Sequence, residues 1–198
     1  MEISAKLVKD LRDKTGIGMM KCKEALSECN GDLDAAIEFL RKKGLAEASR
    51  KAERATSQGR IGVYLHHDEK LCTMVEVNCE TDFAANSPDF GILIKDLAMQ
   101  VASARPLYVR REDVPVDAIE HEKEILNAQM ADSGKPASVV EKIIEGRLSK
   151  FFSDVCLMEQ PFIKDPKIPV GDLVRAVIAK LGENVVVRRF ARFRVGEE

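Results

Sequence analysis

Apolar residues recur at helical spacing three times within the first forty-odd positions, and a glycine-bearing turn separates one stripe from the next. Ser4 stands where an N-cap is needed, ahead of Leu7, Val8 and Leu11. Thr15-Gly16-Ile17-Gly18 breaks that pattern, because glycine relaxes the backbone restriction of a turn. A second helix is predicted with Met19, Cys22, Ala25, Leu26 and Cys29 on one side. In the turn Asn30-Gly31-Asp32, Gly31 suits positive φ and Asp32 suits a cap. The third helix gathers Leu33, Ala36, Ile37 and Leu40 and is expected to end before Gly44. Residues 4–43 therefore read as a three-helix unit near the lower size limit for independent folding, suited to an interaction module.

The pattern then changes. A charged, Ala-rich stretch to about Ser57 reads as a helical connector. Ile61–Leu65 and Leu71–Cys79 are strand-like runs flanking His66-His67-Asp68-Glu69-Lys70, which predicts a hairpin with Leu71, Thr73, Val75 and Val77 on one face. Ser87-Pro88-Asp89 is a helix start, and Pro106 stops the helix that runs toward Ala104. Helices over 116–132 and 136–152 surround Ser133-Gly134-Lys135-Pro136 as an antiparallel hairpin. An amphipathic helix follows over Val170–Leu181. A final strand places Val185, Val187, Ala191, Phe193 and Val195 on one face. The first two strands can pair with the last, which makes the fold class α+β and not a βαβ series.

Composition narrows the function. With 45% apolar residues there is ample core material, but only 5% are aromatic and Trp is absent, so aliphatic side chains and Met must fill it. The 31 basic and 33 acidic residues nearly cancel, at a net charge of -2, which lacks the basic excess of a phosphate-binding protein. Direct nucleic-acid binding is not expected. No run approaches the roughly 18 apolar residues of a membrane span, and the first ten residues enter a helix without a signal or transit pattern. Five cysteines in no close pairs suit reduced thiols in the cytoplasm.

Candidate chemistry is sparse. His66-His67-Asp68 suggests a metal, but adjacent strand residues point to opposite faces, which favours a solvated turn. Arg188, Arg189, Arg192 and Arg194 suit phosphate less well than a charged strand face with local acidic partners. Met19 and Met20 follow a glycine turn, and a helix can fully bury only one of two adjacent side chains. An exposed protein-binding methionine and a packed one stand as equal readings. Thr81-Asp82-Phe83 lies between a strand and a helix, where functional loops are common. Local chemistry favours Phe83 packed inward with Asp82 capping the turn over an exposed acid–aromatic pair. No nucleophile elbow, Walker loop or dinucleotide fingerprint is present, so no cofactor is expected and covalent catalysis has no assembled site.

Three stretches together resemble one family, bacterial translation elongation factor Ts: LVKDLRDKTGIGMMKCKEAL with NGDLDAAIEFLRKKG, then VEVNCETDFAAN, then SGKPASVVEKIIEGRLSKF with LMEQPFIKDP and VVVRRFARFRVGE. They span nearly the whole chain in the expected order. The resemblance implies a ubiquitin-associated-type three-helix domain over 1–44, a helical linker over 45–59 and an α+β core over 60–198. In that core it implies a small antiparallel three-stranded sheet and a helical hairpin over 116–152.

The same resemblance implies a guanine-nucleotide exchange factor that binds elongation factor Tu, both GDP-bound and nucleotide-free, and does no covalent chemistry. Thr81, Asp82 and Phe83 would be the exchange motif that displaces magnesium: Phe83 a wedge, with Asp82 holding the intruding turn. Arg12, Met19, Met20 and Lys23 would be partner contacts on the N-terminal domain. Longer members have two similar half-cores and this chain has room for one, so a homodimer is implied. Ala84 departs from the Val often found after the motif, a small change on its flank. Two other classes stand beside this one: an interaction adaptor without exchange activity, and a metal-dependent hydrolase using Glu80 and Asp82 with His66 or His67.

Overall fold

Ser4 opens the first helix by accepting a hydrogen bond on its hydroxyl from the Leu7 amide at 3.2 Å. That helix, α1 (Ala5–Thr15), is followed by α2 (Met19–Glu28) and α3 (Leu33–Lys51). The Asp32 carboxylate caps α3, accepting from the amides of Asp34 at 2.9 Å and Ala35 at 3.0 Å, and Gly31 holds φ at +82° in the preceding turn. The computed structural model describes residues 3–130 and 136–197. Ser133-Gly134-Lys135 and the end of the helix expected over 116–132 lie outside the described residues.

The three stripes form one core of Val8, Leu11, Cys22, Ala25, Leu26, Ala36 and Leu40. Each large aliphatic side chain so buried contributes about 1.5–3 kcal/mol of transfer free energy, which is how so short a unit closes. Two expectations change here. The third helix does not end before Gly44 but continues to Lys51, because the Ala, Glu, Arg and Lys that follow all favour helix. Met19 is not on the buried side of α2; it is 53% exposed. Helical side chains lean toward the N-terminus, and in a first turn there is no earlier turn beneath them to pack on.

In chain order the remaining elements are β1 (Gln58–Leu65), β2 (Leu71–Cys79), α4 (Asp82–Ala85), α5 (Pro88–Ala104), α6 (Val116–Met130), α7 (Ala137–Val155), β3 (Pro161–Phe162), β4 (Asp165–Pro169), α8 (Val170–Leu181) and β5 (Val185–Arg194). Strands β1, β2 and β5 make an antiparallel sheet in the order β1-β2-β5, and β3 pairs antiparallel with β4. The fold is α+β. On β2 the alternation holds: Thr73, Val75 and Val77 are fully buried.

The chain forms two compact units, one of Met1–Ile61, Glu76–Ile94 and Asp172–Val187, the other of Gly62–Val75, Lys95–Gly171 and Arg188–Glu198. The first holds the helical bundle and α8. There Arg41 on α3 pairs with Asp172 at 2.9 Å, and Asp172 also pairs with Arg175. Burial raises the Asp172 pKa, but the two guanidiniums outweigh it and hold the carboxyl below its usual range. Gly59, at φ +152°, lies where a Cβ would stand 2.3 Å from the Val77 carbonyl oxygen, so only glycine fits.

The second unit contains the helical hairpin. Val114, Phe152 and Cys156 are buried among Tyr108, Ile119, Leu148 and Phe151. The Arg111 guanidinium lies 4.6 Å from the Phe152 ring centroid and pairs with Glu159. Gln100 and Gln160, both buried, are joined at 3.2 Å. The buried Thr73 hydroxyl donates to the Ala98 carbonyl at 2.8 Å.

Candidate functional site

The end of β2 delivers the chain to α4, a single turn whose cap is Thr81. The Thr81 hydroxyl oxygen accepts from the Ala84 amide at 3.3 Å, and the turn closes with the Asn86 amide donating to the Asp82 carbonyl at 3.0 Å. Ala84 and Ala85 are buried, which anchors the inner side of the turn. Phe83 points the other way and is 86% exposed. The inward Phe83 and the Asp82 cap favoured by local chemistry are both absent: Thr81 caps, Asp82 is the exposed first-turn acid, and the ring stands in water.

Four further contacts hold this turn, none of them foreseen from sequence. The Thr81 amide donates to Glu183 Oε2 at 3.0 Å and its hydroxyl to Glu183 Oε1 at 2.7 Å. Glu80 Oε1 accepts from the Asn184 amide at 2.6 Å. The Cys79 thiol donates to the Thr81 carbonyl at 3.1 Å. Burial raises the Cys79 pKa, and the Glu183 charge raises it further, so it stays a thiol. Glu183 and Asn184 lie about a hundred positions downstream in a short polar turn after Gly182, and no periodicity or motif marks them.

On the bundle, Arg12 and Lys23 are exposed, Met19 is 53% exposed and Met20 80% exposed. The two methionines present adaptable apolar surface to water. The Thr81–Phe83 turn and these four residues belong to the same compact unit.

The other candidates resolve differently. The His66 and His67 rings lie 4.3 Å apart, closer than strand alternation would put them, because the chain leaves the strand at the Leu65–Leu71 turn. The His66 ring is also joined to the Tyr64 hydroxyl at 2.8 Å. Among the described residues, no three His, Cys, Asp or Glu side chains gather as a metal site. Arg192 and Arg194 pair with Glu197, as does Arg105 at 3.4 Å, which matches a strand face with local acidic partners. No helix among the described residues is long and apolar enough to cross a membrane.

The site is thus an exposed aromatic on a single turn held by hydrogen bonds to a carboxylate. The family model described as "Elongation factor TS" matches residues 46–197. Elongation factor Ts of Carboxydothermus hydrogenoformans is 56% identical over 98% of this chain and 90% of its own length. That of Herpetosiphon aurantiacus is 56% identical over 99% of each. That of Fervidobacterium nodosum is 54% identical over the full length of both. The chain belongs to the elongation factor Ts family of translation elongation factors.

Proposed function

We propose that the chain is the guanine-nucleotide exchange factor of elongation factor Tu, acting in the cytoplasm and making or breaking no covalent bond. One observation carries the reading beyond family membership: Phe83 is almost wholly exposed on a turn whose backbone is tied down on both sides. A large apolar ring left in water at a fixed position favours insertion into a partner over packing in its own chain. Phe83 enters the nucleotide-binding domain of Tu near the magnesium and phosphates, and Asp82 steadies the turn there. Arg12, Met19, Met20 and Lys23 grip the same domain. Because the factor binds nucleotide-free Tu better than GDP-bound Tu, it weakens GDP binding by the same coupling factor.

Release of labelled GDP from Tu tests this directly. The wild-type chain accelerates release, and Phe83→Ala and Asp82→Ala each slow it. Normal exchange by both variants would remove the motif from the mechanism, and no exchange by the wild type would remove the function.

The homodimer forms part of the same proposal. It is supported by the apolar side chains of Val63 and Leu65 on β1, Met74 on β2, Phe193 on β5 and the adjoining Val195, all of which stand in water. A light-scattering mass of twice the chain's 22.0 kDa is expected at working concentration, and a single-chain mass would exclude the dimer.

A further inference from the structure

Thr81 presents two donors, its amide and its hydroxyl, and both go to one carboxylate, that of Glu183. A carboxylate is the side chain that accepts on both oxygens, so the match is complete. With its proton committed to Glu183, the Thr81 oxygen has a lone pair to turn toward the Ala84 amide, which is the cap of α4. The clasp and the cap are therefore one arrangement.

A second carboxylate runs in the opposite direction. Glu80 accepts from the Asn184 amide and faces the Arg54 guanidinium at 3.5 Å. Glu80-Thr81 and Glu183-Asn184 thus each give a carboxylate to the other's backbone. Asn184 is buried, and its side-chain amide donates to the carbonyls of Ala52 at 3.3 Å and Arg54 at 2.9 Å, which ties this pair to the chain just past α3.

A four-residue helix cannot hold itself, since nucleating one turn costs more than its first hydrogen bonds return. Phe83 adds no packing of its own because it is exposed. Beyond the anchor of the buried Ala84 and Ala85, the conformation that presents Asp82 and Phe83 therefore depends on what grips Thr81. We infer that Glu183 is a positioning residue for nucleotide exchange, holding Thr81 through both donors so that the Asp82–Phe83 turn meets its partner already formed. The inference rests on the exchange reading above. Without the clasp, the turn must be ordered at the moment of insertion, and that cost falls on the exchange step. Binding through the rest of the surface is retained.

GDP release from Tu, measured as plateau rate and half-saturating concentration, separates these effects. Glu183→Ala is expected to lower the plateau about tenfold and leave half-saturation within about twofold, since misplacing a working group costs rate more than docking. Its unfolding midpoint stays close to wild type. Thr81→Val gives a similar loss, and the double variant is less than additive, because the hydroxyl–carboxylate bond is lost in both. Glu183→Gln recovers only part of the rate, as its amide NH2 opposes one of the two Thr81 donors.

A wild-type plateau for Glu183→Ala, with Phe83→Ala impaired, overturns the inference and leaves the exchange reading standing. So does an additive double variant. If Phe83→Ala exchanges normally, the exchange reading fails and takes this inference with it. Should Glu183→Ala unfold, Thr81→Val and Glu183→Gln decide the matter by the same rate split.

Discussion

Gly44 and Ala179 approach so closely that a Cβ added to Gly44 would stand 2.9 Å from the Ala179 methyl carbon. This explains a glycine in the middle of α3, where it would otherwise cost about 1 kcal/mol relative to alanine. The small pair lets α3 and α8 come together, and the Arg41–Asp172 bridge joins the same two helices. Neither atom at the contact is the end of a flexible side chain, so relief requires a backbone shift. Gly44→Val is expected to lower stability by about 2 kcal/mol through overpacking, measured by urea unfolding. Equal or greater stability would show that the helices separate freely.

Two phenylalanines seven positions apart separate function from folding. Phe83 is 86% exposed and Phe90 is fully buried. Phe83→Ala should change unfolding stability by less than about 0.5 kcal/mol, as surface substitutions do. Phe90→Ala should cost about 4 kcal/mol. A large loss on removing Phe83 would mean that the ring supports the fold.

Gln160 is the centre of a polar network in the second unit. Its amide donates to the carbonyls of Ala104 at 3.2 Å and Asp154 at 3.0 Å, and its oxygen accepts from Gln100. Gln100 in turn accepts from the Ile163 amide at 2.9 Å. Gln160→Leu keeps much of the volume but takes a partner from the buried Gln100 amide and from two part-buried carbonyls, so a loss of about 3 kcal/mol is expected in thermal or urea unfolding. A neutral result would mean that water replaces the lost bonds.

These residues also mark where the sequence was legible. The bundle was readable because each helix carries its own local signals: Ser4, Gly31 and Asp32 sit where caps and turns require them. Val170–Leu181 was readable from its single apolar face. The β3–β4 ribbon was not, because Pro161–Phe162 and Asp165–Pro169 are too short to show alternation. At the candidate site, sequence marked Thr81-Asp82-Phe83 as a turn but favoured an inward Phe83, since hydrophobicity alone cannot say which side a lone aromatic takes. Glu183 was invisible because its partner lies about a hundred residues away, and long-range polar pairing leaves no periodic trace.

Cys156 supplies a pH dependence whose sign is fixed by its surroundings. The thiol is fully buried, and burial first, then the Glu159 charge, raises its pKa from 9.0 to about 11. The unfolded chain therefore releases this proton at lower pH than the folded one. Between about pH 9 and 11 the unfolded state binds fewer protons, so stability falls as pH rises; below pH 9 the contribution is fully present. The loss is on the order of 2 kcal/mol once both states are ionised. The measurement is the difference between wild type and Cys156→Ala in urea unfolding from pH 7 to 11, which isolates the contribution of this thiol. The variant should start less stable, because it leaves a small void, and the gap should narrow above pH 9. A gap constant with pH would mean that the folded thiol ionises as readily as the unfolded one. Thiol labelling gives an independent check: the half-buried Cys29 and Cys72 should react well before Cys22, Cys79 and Cys156, which are buried.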